Sequence, residues 1–321
     1  MKTALRCFVL PVIFACIFTV ASFAQHTVPD TVKTGIYVTS IHNIDFKNQE
    51  YTVDFWVWFK YKNKSFDFLH NLEIPLAKSV SQSFSTIDTS GGQVYLLMKI
   101  QCVMKDSWRI DNFPFDKQTL RLSMENSQYD SHSLVFLPDQ RGKHFDPRFT
   151  LRGWNIDSFI VTSGIKQYET AFGDDSYAKP HTEYSAYRVR MAVSRDATSL
   201  FWKMFLGMYV SFLISYICFY IHADNIDSRF GLSVGALFAA IGNKYIIDSS
   251  LPESSTFTLV DLLHGITLLF IFLVITSSAY SLSLVKKNKI KQANRFDIVT
   301  AQVLLALYII VNIYFITTGM S

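Results

Sequence analysis

The 321-residue chain has few cysteines, and their positions build no disulfide framework. Cys7 and Cys16 lie in an N-terminal leader, Cys102 in a polar region and Cys218 in an apolar run. Two isolated cysteines outside the leader exclude a disulfide scaffold and make a zinc site a poor fit. Nucleophile-elbow, phosphate-loop and metal-ligand spacings are also missing, so the sequence predicts no enzyme, no cofactor and no metal.

The chain also lacks a strong charge of either sign. It has 30 Lys and Arg against 26 Asp and Glu, and two of the basic residues, Lys2 and Arg6, belong to the leader. This balance gives no reason to expect nucleic acid as a partner. Apolar residues, in contrast, make up 50% of the chain and aromatic residues 15%. Such a composition is typical of a membrane protein with a β-rich soluble part.

Residues 1–24 have the pattern of a secretory signal peptide. Lys2 and Arg6 form its basic end, Cys7–Val20 its apolar run, and Ser22-Phe23-Ala24 a small-x-small cleavage site. An uncleaved anchor is the alternative. A cleaved signal places the segment that follows it outside the membrane. We expect the protein to lie in a cell membrane, most simply a bacterial inner membrane.

Residues 25–198 contain short alternating segments and no long apolar run. In the clearest, Tyr51–Lys60, every odd-numbered residue is apolar, which predicts a strand with one core-facing side. Similar segments occur at 35–44, 93–104, 118–125, 133–137, 154–163 and 184–195. Several short strands at this spacing predict an antiparallel β-sandwich outside the membrane.

Residues 199–321 contain four apolar stretches, at about 200–221, 229–248, 257–284 and 297–317. Each is close to the ~20 residues that cross a bilayer, so we expect four helices in contact with membrane lipid. The link between the third and fourth stretches is rich in Lys and Arg from Lys286 to Arg295, which predicts that it is cytoplasmic. Four spans then place the β-domain and the C-terminus outside, in agreement with the signal peptide.

The second stretch is a poor lipid-facing helix. One helical face of it is small, aromatic and polar, and this face is called the stripe below. The stripe consists of Asp227, Gly231, Gly235, Phe238, Gly242, Tyr245 and Ser249. Two interpretations fit: Gly231 and Gly235 form a small-xxx-small contact for close helix packing, or the stripe lines a water-filled path.

The order of these features resembles the pentameric ligand-gated ion channels, the Cys-loop receptor superfamily, over residues 31–318. The most specific match is Phe113-Pro114-Phe115-Asp116-Lys117-Gln118, which has the pattern of the FPFDxQ turn of that family. The supporting matches are Thr31–Tyr37, Gly153–Ile156, Ser194-Arg195 before the first span and Leu251-Pro252 after the second.

The departures from the family pattern are also informative. Asp106 and Leu120 occupy the positions of the bridging cysteines, and this feature, together with the short link between the last two spans, resembles the prokaryotic branch. Gly207 lies near the usual proline of the first span. The Trp-x-Pro segment of the agonist site is missing, with Ile74-Pro75 as its nearest remnant, so the agonist site is the part that transfers least.

The resemblance implies a homopentamer of this chain in which the stripe lines a path for inorganic ions. Asp227 would form a ring that selects cations, and Phe238 and Tyr245 would form apolar gates. Arg229 and Lys244 are further charges whose direction the sequence leaves open, and a Lys244 turned inward would oppose cations. An anion channel of the same fold and a membrane-anchored sensor without conduction are the alternatives.

The resemblance also implies a relay between the β-domain and the spans. It assigns Asp45 and Arg195 to this relay, together with the four residues of the turn, Phe113, Pro114, Phe115 and Asp116. An Arg can bridge two carboxylates with its fixed fork of donors, whereas the alternative is ordinary surface charge. The link that contains Pro252, after the second span, would receive the movement.

The stimulus is open at this point. Aromatic residues from separate segments could bind an organic cation, or could simply belong to the sandwich core and rim. They are Trp56, Trp58, Tyr95, Tyr129, Tyr168, Phe172 and Tyr177. A proton is a second candidate, because Asp261 and His264 share a face of the third span; a satisfied polar pair is the alternative. Ca²⁺ is a third, although no segment has calcium-binding spacing.

Overall fold

The computed structural model describes residues 28–141, 144–146, 148, 151–175, 181–254 and 256–320; the predicted signal peptide lies outside them. In this part of the chain, nine strands precede four long helices. The strands are β1 (Asp30–Asp45), β2 (Glu50–Tyr61), β3 (Leu72–Glu73), β4 (Ala77–Asp88), β5 (Val94–Lys105), β6 (Lys117–Asn126), β7 (Leu134–Pro138), β8 (Trp154–Tyr168) and β9 (Thr182–Arg195). The helices are α1 (Ala197–Ile217), α2 (Ile226–Asp248), α3 (Leu259–Lys286) and α4 (Ile290–Met320).

The strands form two sheets, in the orders β4-β5-β2-β1-β7 and β3-β6-β9-β8. All strand pairs are antiparallel except β1 with β7. Large side chains from both sheets, including Phe59, Phe136 and Tyr187, are buried in one apolar core. The predicted fold class, a β-sandwich followed by four helices, is confirmed.

Strand β2 shows how the alternating pattern becomes a core face. Tyr51, Val53, Phe55 and Val57 are each at most 3% exposed, as the odd-numbered apolar positions predict. On the opposite face, the register places Trp58 directly across from Gly35 of β1. A Cβ atom at Gly35 would lie 2.2 Å from the Trp58 indole ring, so only glycine fits there.

Strand β4 is absent from the segments that the sequence predicts. From Lys78 to Asp88 every residue is exposed, and the strand forms the outer edge of its sheet. An edge strand with no buried face gives no apolar alternation to detect. Its pairing with β5 also shifts register twice, which is common at sheet edges.

All four helices are long and apolar enough to cross a bilayer. Helix α4 begins at Ile290 and not near residue 297, because its first two turns are polar and escape a hydropathy search. Side chains from both parts of the chain meet in a second apolar cluster, in which Ile110 and Phe113 pack with Phe201, Leu251 and Leu259. This cluster joins the β-sandwich to α1 and α3.

Candidate ion pathway and coupling site

Helix α2 buries one face and exposes the stripe. Asn225 caps its start by accepting a hydrogen bond from the Ser228 amide. The buried side chains are Arg229, Ser233, Ala236, Ala240 and Ile247. All seven residues of the stripe are exposed in the protomer.

The side chains of the stripe make little contact within the protomer. Phe238 is 67% exposed and Tyr245 is 75% exposed. A Cβ atom added to Gly231, Gly235 or Gly242 would meet nothing within 4 Å. These glycines therefore do not serve helix packing within the described part of one chain.

Arg229 does not lie on the stripe but is buried and pairs with α4. It is 2% exposed, and its Nη2 lies 2.6 Å from Oδ2 of Asp297. Its Nε and Nη2 also donate to the carbonyl of Ile221, at 2.9 and 2.5 Å. A buried charge needs such a partner, and here the partner is 68 residues further along the chain.

Lys244 is likewise turned away from the stripe. Its Nζ lies 2.5 Å from Oδ2 of Asp248 and 2.7 Å from Oδ1 of Asp261 on α3. Asp261 also completes a capping box with Thr258 at the start of α3. The lysine charge is therefore balanced by two carboxylates and ties α2 to α3.

The sequence predicts Asp261 and His264 as a pair. Among the described residues, these two side chains share no hydrogen bond or ion pair. His264 is fully buried, with Nδ1 2.9 Å from the Val260 carbonyl and Nε2 3.0 Å from Oδ1 of Asn243. Asn243 in turn donates to the Met204 carbonyl of α1 at 3.1 Å. A Cβ atom at Gly207 would lie 3.1 Å from Nδ2 of Asn243, so the glycine leaves room for this contact.

Arg195 lies at the centre of the junction between the sandwich and the helices. Its Nε donates to Oδ1 of Asp116 at 2.7 Å, and its Nη2 to Oδ2 at 3.3 Å. The guanidinium also lies over the rings of Phe46, Phe113 and Trp154, at 4.5, 4.9 and 4.1 Å from their centroids. Both charged side chains are nearly buried, so this pair is no ordinary surface contact.

Asp45 is near this pair but is not bonded to it. Its carboxylate accepts from the backbone amide and the side chain of Asn48, at 2.9 and 2.8 Å. Those hydrogen bonds, the backbone one first, lower the pKa of Asp45. Asp45 and Arg195 line a common cavity of about 800 Å³ between the sandwich and helices α1 and α2.

The loop that carries the FPFD turn contacts the helices through Asp111, which the sequence did not single out, and through Phe115, which it did. The backbone amide of Leu259 donates to the Asp111 carbonyl at 2.8 Å, and Thr256 Oγ1 donates to the Asp111 carboxylate at 2.7 Å. The Phe115 and Phe201 rings lie 5.5 Å apart. Pro114 and Pro252 are buried, Pro252 in the link between α2 and α3.

An ion pair closes the loop that carries the turn. The buried Asp106 carboxylate accepts from Nε and Nη2 of Arg121, the residue that follows Leu120. Gln118 adds a second closure, since its Nε2 donates to the Arg109 carbonyl at 2.6 Å and to Asp116 at 2.8 Å. Noncovalent contacts thus join the ends of the loop where the resemblance places a disulfide.

Five of the seven aromatic ligand candidates fall into two groups, one on each sheet or at its edge. Trp56, Trp58 and Tyr95 line a shallow cavity of about 430 Å³ together with Lys60 and Asp139. The Lys60 ammonium lies 5.3 Å from the Tyr95 ring centroid. The Trp58 indole donates to the Asp139 carboxylate at 3.3 Å.

The second group surrounds the end of β8. The Tyr168 hydroxyl donates to Glu125 at 2.8 Å, and its ring lies 5.4 Å from that of Phe172. Burial raises the pKa of Glu125 above its ordinary value. Tyr129 lies apart, packed against Phe66 at 4.8 Å. Tyr177 lies outside the described residues.

No family model matches the chain. It is similar to a proton-gated ion channel of Gloeobacter violaceus, with 24% identity over 269 residues, or 77% of this chain and 71% of the relative. A glutamate-gated chloride channel of Drosophila melanogaster is 22% identical over 182 residues, 56% of this chain and 38% of the relative. The gamma-aminobutyric acid receptor subunit rho-3 of Homo sapiens is 21% identical over 278 residues, 78% of this chain and 57% of the relative.

A β-sandwich joined to four apolar helices, the second with a small and polar exposed face, defines a multi-pass membrane protein of the receptor-channel class. The relatives are all members of the pentameric ligand-gated channels, the Cys-loop receptor superfamily, and the resemblance of this chain to that family is confirmed. This is a family of channels and not of enzymes.

Proposed function

We propose that five copies of this chain form a cation-selective channel that opens in response to a stimulus on the β-sandwich. The copies place their α2 helices around a central path, with the stripe facing water. Residues 25–198 sense the stimulus outside the membrane, and residues 199–321 conduct ions through it. The predicted signal peptide, the outward C-terminus, and a prokaryotic cell membrane belong to this proposal.

The exposed stripe carries the proposal. Seven residues that share one face of an apolar helix are all exposed. Three of them are glycines and two are aromatic. Lipid would favour large aliphatic side chains at these positions. A hydrated path explains both the small residues and the single acid.

Cation selectivity is supported by the arrangement of charges on α2. Arg229 is neutralised by Asp297, and Lys244 by Asp248 and Asp261. Asp227 is exposed and has no ion pair among the described residues. Five such carboxylates at one mouth of the path would concentrate cations and repel anions.

The contacts at the junction and on the sheets support a relay and a sensing site. Arg195 with Asp116 connects the last strand to the FPFD turn, and Asp111 connects that turn to the start of α3. The two groups of aromatic residues lie on different sheets, so we infer a ligand site between adjacent copies, each contributing one group. The candidate stimuli are a small organic molecule, a proton and Ca²⁺.

The test is the reversal potential of Asp227→Lys in planar bilayers under a salt gradient. The wild type should favour cations, and the variant should lose or reverse that preference. Asp224→Lys is the matched control, because Asp224 is an exposed acid just before α2 and off the stripe. An unchanged reversal potential in Asp227→Lys would refute the assignment.

The same recordings separate the two alternatives. A wild type that already favours anions would establish the anion channel of the same fold. Purified protein that binds to membranes and gives no current under a screen of agonists, pH and Ca²⁺ would support the sensor without conduction.

A further inference from the structure

The buried His264 lies in a chain of hydrogen bonds that ends in a carbonyl at both sides. One end is the Met204 carbonyl of α1, and the other is the Val260 carbonyl of α3. Between them lie two side chains, the Asn243 amide of α2 and the His264 ring. The chain therefore has three links and joins three helices.

The number of donors decides which form of the histidine fits. Carbonyls only accept, so the link to Met204 needs the Asn243 amide nitrogen as its donor, and the link to Val260 needs a proton on Nδ1 of His264. The middle link then joins the Asn243 oxygen to Nε2. A neutral imidazole has one N–H and leaves this link between two acceptors, whereas an imidazolium donates at both nitrogens.

Turning the Asn243 amide around does not remove the mismatch. The amide nitrogen would then donate to Nε2, but the amide oxygen would face the Met204 carbonyl. The other neutral tautomer leaves Nδ1 without a proton against the Val260 carbonyl. Every neutral form thus leaves one of the three links unmade, and an unmade buried link is costly.

The surroundings of the ring act on a bound proton in both directions, and the three hydrogen-bond links are what favour it. Lys244 and Asp248 of α2 and Asp261 of α3 act on the ring electrostatically, and α1 places the Phe205 ring 5.6 Å away. Lys244 is bonded to both acids, so the three groups together carry one net negative charge. Asp248 and Asp261 favour a positive imidazole, whereas burial of the ring and the nearby Lys244 oppose it.

A cavity reaches two partners in this hydrogen-bond chain, although it does not reach the His264 ring itself. The cavity of about 800 Å³ at the junction is lined by Met204 and Asn243, two of the partners, and also by Asp45, Arg195 and Lys203. The cavity therefore brings the outer end of the hydrogen-bond chain close to the side of the membrane on which we place the sandwich.

We propose that His264 is a proton-binding site whose occupancy sets how firmly α2 is held to α1 and α3. With the proton bound, all three links form, as in this structure; without it, one link opens. Because α2 carries the stripe, the change reaches the proposed path. The inference rests on the proposed channel function, and it assigns Asp261 to the helix cap and to Lys244, not to proton sensing.

The first test records wild type and His264→Gln between pH 5 and pH 8, the range in which histidine changes charge. At a fixed stimulus, the open-to-closed ratio of the wild type should change by about tenfold, since a charged hydrogen bond contributes at least that factor. His264→Gln should lose this change. His181→Gln, which alters an exposed histidine beside Glu183, should keep it.

The second test measures thermal unfolding of the purified protein and needs no conduction. The melting temperature of the wild type relative to His264→Gln should rise as the pH falls from 8 to 5, because the proton completes a chain that glutamine cannot. Asn243→Ala removes the amide oxygen that faces Nε2 of His264, and it should reduce the same pH dependence. This variant replaces His264→Gln if His264→Gln does not fold.

Equal pH dependence in wild type and His264→Gln, in currents and in melting, would overturn the proton site while leaving the channel intact. A pH-dependent difference in melting without any current would retain the proton site and refute conduction instead.

Discussion

The pair formed by Arg195 and Asp116 gives the sharpest prediction about the relay. In Arg195→Ala, the Asp116 carboxylate, which is 4% exposed, loses its cation, while Gln118 still donates to it at 2.8 Å. Breaking a buried ion pair costs about 3–5 kcal/mol. The remaining hydrogen bond recovers about 1–2 kcal/mol of this. The loss of three ring contacts adds about 1 kcal/mol.

A net cost of roughly 3 kcal/mol at the junction corresponds to about a hundredfold change in an equilibrium. If the pair transmits the stimulus, Arg195→Ala should shift the half-maximal stimulus by a factor of that order. A double-mutant cycle with Asp116→Asn separates the pair from each residue alone and should give a coupling energy of about 2 kcal/mol or more.

The matched control is Arg148→Ala. Arg148 also forms a bidentate pair, with Asp146, but its side chain is 89% exposed, and such pairs contribute little. We expect no shift in this control. Normal assembly of Arg195→Ala with an unchanged stimulus response, or additive effects in the cycle, would contradict the relay.

Two further predictions concern the gate and the loop. Phe238→Ala should raise the resting leak of the channel, because it removes an apolar ring from the stripe. Ile246→Ala, which alters an exposed apolar residue elsewhere on α2, should not raise it. Equal leaks in the two variants would count against Phe238 as a gate. Arg121→Met should lower stability by roughly 1–3 kcal/mol, since it leaves buried Asp106 unpaired while Arg121 itself is about half exposed. Thermal unfolding under reducing and oxidising conditions checks this, and an unchanged melting temperature would exclude the ion pair as the closure of the loop.

Periodicity and composition were enough to predict the fold class, because burial follows patterns that are local in sequence. The odd-numbered face of β2 and the stripe of α2 both occupy the sides that alternation and helical spacing assign to them. Strand β4 was missed for the same reason, since an edge strand without a buried face carries no such pattern.

The partners of the polar residues could not be predicted in this way. Asp45 was expected to share Arg195, but Asn48, three residues away, occupies its carboxylate instead. Asn243 gave no signal in the sequence, although it connects His264 to α1. Such choices depend on rotamers and on distant chain segments, which a local pattern does not contain.

The ion pairs of α2 bear on the proposed ion selectivity. The helix has four charged side chains, and three of them, Arg229, Lys244 and Asp248, are held in ion pairs inside the protomer. Asp227 is the one that lies on the exposed stripe without an ion pair among the described residues. Charges that are paired within the protomer would contribute little net field to the proposed path, so we expect the sign of that field to follow from Asp227. Replacing this single residue should therefore control ion preference more strongly than replacing either cation of the helix.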